Sequence, residues 1–172
     1  MGDAPEPLRL VQDLVNTLDV ESGVDGLEAF VGPGVDLPRA RVFRELLRDV
    51  CAAHAGLDVP ERSLGIFTRQ LALAPLVLVP QADGSAELAP APGLSPTELL
   101  FAQVAVAVAG GGKDWLRLKA CAADSCRWLY YDRSPAGRGR WCSMAVCGSR
   151  AKMRAYRARG NVSAVPSSEY AE

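Results

Sequence analysis

The sequence predicts an α+β fold, with a mainly helical N-terminal unit that carries one small β-hairpin and a compact cysteine-bearing module that ends in a helix. Apolar residues recur at helical spacing in several stretches before residue 110. A short β-compatible run, LVLV, sits between Pro75 and Pro80 and is followed by a turn. Four of the five cysteines form two C-x4-C pairs after residue 120.

Taken in order, Leu8–Leu18 places Leu10, Val11, Leu14, Val15 and Leu18 on one helical stripe. Gly- and Asp-rich loops follow, one running to Gly26 and a second from Gly32 to Pro38. Residues 38–55 open with a proline suited to a first helical turn. Val42, Phe43, Leu46, Leu47, Val50 and Cys51 then mark an amphipathic helix ending near Gly56. A shorter helix is predicted over Glu61–Leu71. Ala82–Ser85 supplies the hairpin turn, and Ala86–Ala89 pairs back on the LVLV run. Ser95 is an N-cap, with Pro96 at the first helical position and Glu98 closing a capping box; the apolar helix it opens is predicted to break at Gly110. The last helix is predicted over 149–159 with Gly160 as its C-cap, and 161–172 reads as a flexible tail.

At 172 residues, 49% hydrophobic and 23% charged, the chain has the size and composition of one soluble domain with a small appendage. No run is long and apolar enough for a bilayer; the best, Ala102–Ala109, is short and contains Gln103. The opening MGDAPEPLRL has neither the basic nor the apolar region of a secretory leader. A cytoplasmic protein with reduced thiols is the expectation.

The net charge of −1 conceals a division. Residues 1–115 carry 8 basic and 16 acidic side chains, a balance of −8, whereas residues 116–160 carry 11 basic and 2 acidic ones, a balance of +9. This sets the predicted organisation: an N-terminal domain over 1–112, a basic module over 116–160 and the tail.

Within the module the pairs Cys121/Cys126 and Cys142/Cys147 are separated by fifteen residues. That spacing is the pattern of a closed tetrahedral zinc site, because thiolates suit a borderline-soft ion without redox chemistry. A module this small lacks the apolar surface to fold alone, so one structural zinc would supply the missing free energy. An iron–sulfur cluster is the alternative; disulfides fit poorly with a reducing compartment. Four thiolates leave no open position for water, which argues against a zinc hydrolase. Cys51 reads as a small core hydrophobe. His54 reads as a surface or capping residue rather than the partner of a nucleophile, and nothing else in the chain suggests an enzyme.

Arg127, Arg133, Arg138, Arg140, Arg150, Lys152, Arg154, Arg157 and Arg159 surround the cysteines, interleaved with aromatic residues that more naturally pack around the zinc than stack on bases. On the last helix Arg150, Arg154 and Arg157 share one face. They are candidates for groove contacts with double-stranded DNA, with Arg138, Arg140 and Lys152 on phosphates.

The run Leu118–Ser134 together with Arg140–Lys152, which includes Trp141-Cys142 and Cys147-Gly148-Ser149-Arg150, resembles the bacterial CGNR-type zinc finger, a knuckle or treble-clef-like module. Ser149 stands where that family's name has Asn; its shorter side chain can still cap the helix start. Asp13-Leu14-Val15-Asn16-Thr17-Leu18-Asp19 is similar to the opening of the ABATE domain, the usual N-terminal partner of that finger in predicted stress-induced transcription regulators. The resemblance implies a zinc-dependent DNA-binding regulator whose N-terminal domain dimerises or senses a small molecule, with Asn16 and Asp19 as candidates for a ligand pocket. A zinc-stabilised protein-interaction adaptor is the alternative, the acidic domain pairing with its own basic finger.

Overall fold

The computed structural model describes residues 2–162, with side chains described through residue 159. The described residues form six α-helices: α1 (Arg9–Val15), α2 (Leu27–Val31), α3 (Leu37–Ala53), α4 (Glu61–Ala72), α5 (Pro96–Trp115) and α6 (Ser149–Val162). Two antiparallel hairpins, β1 (Leu76–Pro80) with β2 (Ala86–Pro90) and β3 (Leu118–Ala120) with β4 (Leu129–Tyr131), complete an α+β architecture.

Local chemistry accounts for most boundaries. The Asp36 carboxylate accepts from the Arg39 N–H at 3.1 Å, and Pro38 lies in the first turn of α3. The capping box of α5 is complete: the Ser95 hydroxyl accepts from the Glu98 N–H, and the Glu98 carboxylate accepts from the Ser95 N–H at 2.9 Å. β1 pairs with β2 in the register Leu78 opposite Leu88, as the turn at Ala82–Ser85 dictates.

α1, α3 and α5 enclose the core. Val11, Leu14, Val15, Phe43, Leu47, Phe101 and Val104 are all fully buried there, each contributing about 1.5–3 kcal/mol by the usual transfer scale. The Phe43 and Phe101 rings stack at 3.9 Å between centroids.

Four expectations need correction. First, α1 stops at Val15, three residues early, because Thr17 Oγ1 donates to the Leu14 carbonyl and Asn16 turns its amide to another strand. Second, α5 passes through Gly110 and Gly111 and kinks only at Gly112 (φ +49°, ψ −129°). Gly111 is there for packing: a Cβ would lie 2.7 Å from Leu8 Cδ2. Third, α6 continues past Gly160 to Val162, since one glycine lowers helix stability by about 1 kcal/mol without ending a helix. Fourth, the buried stripe of α3 runs through Ala40, Phe43, Arg44, Leu47, Arg48 and Cys51, leaving Val42 exposed. The short helix α2, between the two predicted loops, carried no periodic signal. Most of the predicted tail lies outside the described residues. No helix among the described residues is long and apolar enough to cross a membrane.

The hydrophobic core runs on past residue 116, although the charge changes sign there. Leu118, Ala120 and Leu129 are fully buried members of the same cluster as the helical residues. Side chains alternate across a strand, so Lys119 and Tyr130, paired opposite each other, take the other face of the β3–β4 sheet. The sheet is therefore a partition, with the helical core on one side and the cysteines on the other.

Candidate metal centre and its basic helix

Each cysteine is set by a short piece of local structure. Cys121 directly follows β3, where its N–H donates to the Trp128 carbonyl at 2.9 Å. The Cys126 and Arg127 N–H groups both donate to the Ala123 carbonyl, at 2.8 and 3.0 Å, which folds 121–127 into a tight knuckle. Closing it puts Arg127 at φ +49°, a left-handed conformation costly for a side chain with a Cβ. Two contacts hold it there: the Arg127 guanidinium pairs with Asp49 at 2.7 Å, and Arg48 Nη1 donates to its carbonyl at 2.8 Å.

The second pair lies at a π-helical turn, Met144–Gly148, capped by the Ser143 hydroxyl accepting from the Val146 N–H. At Gly148 a Cβ would lie 2.9 Å from Met144 Sδ and 3.3 Å from the Trp141 ring, so the exposed Met144 side chain would have to shift. Ser149 Oγ donates to the Met144 carbonyl at 3.1 Å and joins this turn to α6. The shorter residue thus acts at the helix start, as a donor to the preceding turn.

The four sulfurs lie within 4.8 Å of one another. The Cys126–Cys142 and Cys142–Cys147 Sγ separations are 3.6 and 3.7 Å. These exclude disulfides, whose sulfurs lie about 2.05 Å apart. They match a tetrahedron with zinc–sulfur bonds of about 2.3 Å, whose edges are about 3.8 Å. Burial, then the charge of Cys121, pushes the Cys142 thiol up. Four thiolates within 4.8 Å of one another repel, so a cation among them is what would let all four be anionic together. Donor set and geometry both fit one structural zinc, which would be held by Cys121, Cys126, Cys142 and Cys147.

The centre is fastened to the helical unit at several points. Asn16 exchanges two hydrogen bonds with the backbone of Leu129, and Gln12 Nε2 adds a third at 3.2 Å to the same carbonyl. Arg48, fully buried, donates to the carbonyls of Val15 at 2.9 Å and Arg127 at 2.8 Å and pairs with Glu45. The Arg44 guanidinium beside Asp25 holds that carboxyl below its usual range and ties α3 to the loop before α2. On the outer face of the sheet the buried Lys119 ammonium pairs with Asp132 at 2.9 Å and donates to the Gly137 and Gly139 carbonyls. Burial alone would raise the Asp132 carboxyl, but hydrogen bonds from Lys119, Ser134 and Gly139 hold it well below the carboxylate range. This anchors the loop that presents Arg138 and Arg140, both exposed. Arg140 lies 5.7 Å over the Trp141 ring.

α6 rests on the π-helical turn, and its residues from Lys152 to Arg159 are all exposed. Arg150, Arg154 and Arg157 line one groove together with Val146 and Met153. Arg150 is also engaged: its guanidinium pairs with Glu21 at 2.9 Å. Lys152 stands free of that groove.

The two N-terminal candidates do not share a pocket. Asn16 lines a recess with Gln12, Asp13 and Trp128, but its amide is committed to Leu129. Asp19 lines a neighbouring recess beside Glu21 and spends its carboxylate on the Glu21 and Ser22 N–H groups. Cys51 is a buried core residue whose thiol burial pushes up, and His54 caps α3 with Nδ1 donating to the Leu118 carbonyl at 2.8 Å. Sequence reasoning missed Arg44 and Arg48. Their signal was available: two arginines in line with Ala40, Phe43, Leu47 and Cys51 on an otherwise apolar stripe.

Four cysteines in this arrangement define a zinc-finger module carrying a basic C-terminal helix. Residues 117–160 match the CGNR zinc finger family model. No curated protein matches the chain.

Proposed function

We propose that this protein is a zinc-dependent DNA-binding transcription regulator and not an enzyme. The carrying observation is α6: a helix exposed from Lys152 to Arg159, with five cations and no acid, mounted directly on the metal centre. Arg150, Arg154 and Arg157 would enter a groove of double-stranded DNA, where guanidinium forks meet guanine or phosphate. Lys152, Arg138 and Arg140 would lie along the phosphates. The helical unit would dimerise or sense an effector, a reading supported by the similarity of Asp13–Asp19 to the opening of the ABATE domain.

The test is binding of the zinc-loaded chain to duplex DNA across a salt series. If about 5 phosphates are neutralised, log affinity falls against log salt with a slope of roughly −4.5. Replacing Arg150, Arg154 and Arg157 by Ala should abolish specific binding and flatten that slope. Binding that ignores salt, or survives the triple substitution, rules this reading out.

The adaptor reading rests on one contact, the Glu21–Arg150 ion pair, in which the acidic unit meets the basic helix. Because β3 and β4 belong to the common core, the finger cannot be cut out to test it, and Glu21→Gln in the full chain replaces that experiment. Tighter DNA binding by E21Q would mark the pair as a restraint on the helix. No DNA binding by either chain, from protein that holds zinc, would favour the adaptor.

A further inference from the structure

On the cysteine side of the β3–β4 partition, Tyr130 is 4% exposed and packs with Cys121, Ala123 and Cys147, flanked by Cys126, Trp141 and Cys142. Its hydroxyl has no hydrogen-bond partner among the described residues, where every other buried side-chain nitrogen and oxygen has one. An unpaired buried hydroxyl is costly, and the polar groups around this one are otherwise satisfied. Asp132 already accepts three hydrogen bonds, at Oδ2 from Lys119 Nζ and the Gly139 N–H and at Oδ1 from the Ser134 N–H. Lys119, opposite Tyr130 across the sheet, has an ammonium that only donates, and its three protons are engaged. The cysteine sulfurs belong to the same cluster, although none accepts from the hydroxyl while they are thiols. A phenol, whose ordinary pKa is about 10, keeps its proton at neutral pH, so the hydroxyl has one to give.

A neutral thiol is a weak acceptor; a zinc-bound thiolate carries charge and is a strong one. We propose that Tyr130 is a positioning residue of the zinc centre: with the metal bound, its hydroxyl donates to the thiolate of Cys121 or Cys142. The bond draws charge from that sulfur, fixes the ligand's orientation and makes the thiolate a poorer nucleophile toward electrophiles. It also couples the metal to the sheet, because the strand carrying Tyr130 presents Leu129 to the helical core on its opposite face.

The two roles open to this hydroxyl predict opposite signs. If it stays unpaired in the loaded protein, Tyr130→Phe removes a cost and zinc binds as tightly or more tightly. If it donates to a thiolate, Y130F weakens zinc binding by about 10–100-fold, the usual effect of losing a group that orients a metal ligand. The experiment titrates full-length wild type and Y130F with Co2+ and then displaces it with Zn2+. Weaker binding together with a shift of the sulfur-to-cobalt charge-transfer band to lower energy is the expected result. Equal or tighter binding with an unmoved band overturns the proposal. A second measurement does not depend on the variant folding. In the wild-type chain loaded with 113Cd, a slowly exchanging tyrosine hydroxyl proton scalar-coupled to the metal is expected, and failure to find it overturns the proposal as well.

Discussion

The side-chain amide of Asn16 reads the backbone of Leu129 in both directions, accepting from its N–H at 2.8 Å and donating to its carbonyl at 2.9 Å. Asn16 thus takes the place of a neighbouring strand for β4, from the end of α1 and 113 residues away in sequence.

Asn16→Ala would leave the Leu129 N–H without its partner and its carbonyl with Gln12 alone. The expected loss is about 1–3 kcal/mol of unfolding free energy. It would be accompanied by weaker zinc retention, since Leu129 precedes the residue that packs on the sulfurs. Denaturant unfolding of the zinc-loaded chain and a chelator competition check the two effects; Asn16→Asp, which keeps only the acceptor, should fall between.

Arg48→Ala should be among the most damaging single substitutions. It withdraws donors from the Val15 and Arg127 carbonyls and leaves a large void, at a cost of about 3–5 kcal/mol. Arg48→Lys should rescue little, because one ammonium cannot span acceptors arranged for a planar fork. Chemical denaturation of the three chains is the measurement.

Zinc removal should reach well beyond the finger. With Leu118, Ala120 and Leu129 in the common core, chelation is expected to lower the melting temperature of the whole chain in one transition. Calorimetry with and without a strong chelator tests this, and Cys142→Ser should reproduce the chelated trace. Two separate transitions, the first confined to the finger, would contradict the shared core.

His54 gives the stability a defined pH dependence. Burial first, then the charge of Lys119, lowers its pKa below the ordinary 6.5, against the hydrogen bond to Leu118. The unfolded chain therefore binds more protons as pH falls below that value, and stability rises with pH. The contribution is fully present above about 6.5 and is lost as pH falls from there through the folded-state value. Thiolate protonation also weakens zinc binding in acid, so the measurement is the difference in unfolding free energy between wild type and His54→Gln across that range; the wild type should show the steeper acid loss.

The metal site was legible because its chemistry is strict: four thiols at paired spacing, in a basic and aliphatic-poor segment, suit a metal ion far better than a packed core. The capping box at Ser95 and the hairpin turn were legible for a similar reason, since each is a local pattern with a local cause. The tie between finger and helices was not. β3 and β4 are three residues long each, too short for alternation to register, and Asn16 acts on a strand far along the chain. Arg48 was obscured by its charge, which places arginine at the surface until the carbonyls that receive it are known. The similarity of Asp13–Asp19 to a known signature drew attention to Asn16 as a candidate ligand contact, and the structure adds that its amide bonds the backbone of Leu129.

A two-faced sheet built from two strands of three residues also limits how this finger could be recombined. A module whose metal side and core side are carried by alternate residues of the same strands cannot be transplanted as a cassette onto an arbitrary helical partner. A graft that ends at the change in charge would carry Leu118, Ala120 and Leu129 into water, and any host would need to offer a matching apolar seat together with an amide poised like that of Asn16. Chimeras should therefore succeed only when finger and helices travel together, including the segment before α1, whose Ala4 and Leu8 lie in the core and whose Gly2 carbonyl accepts from the Tyr131 N–H.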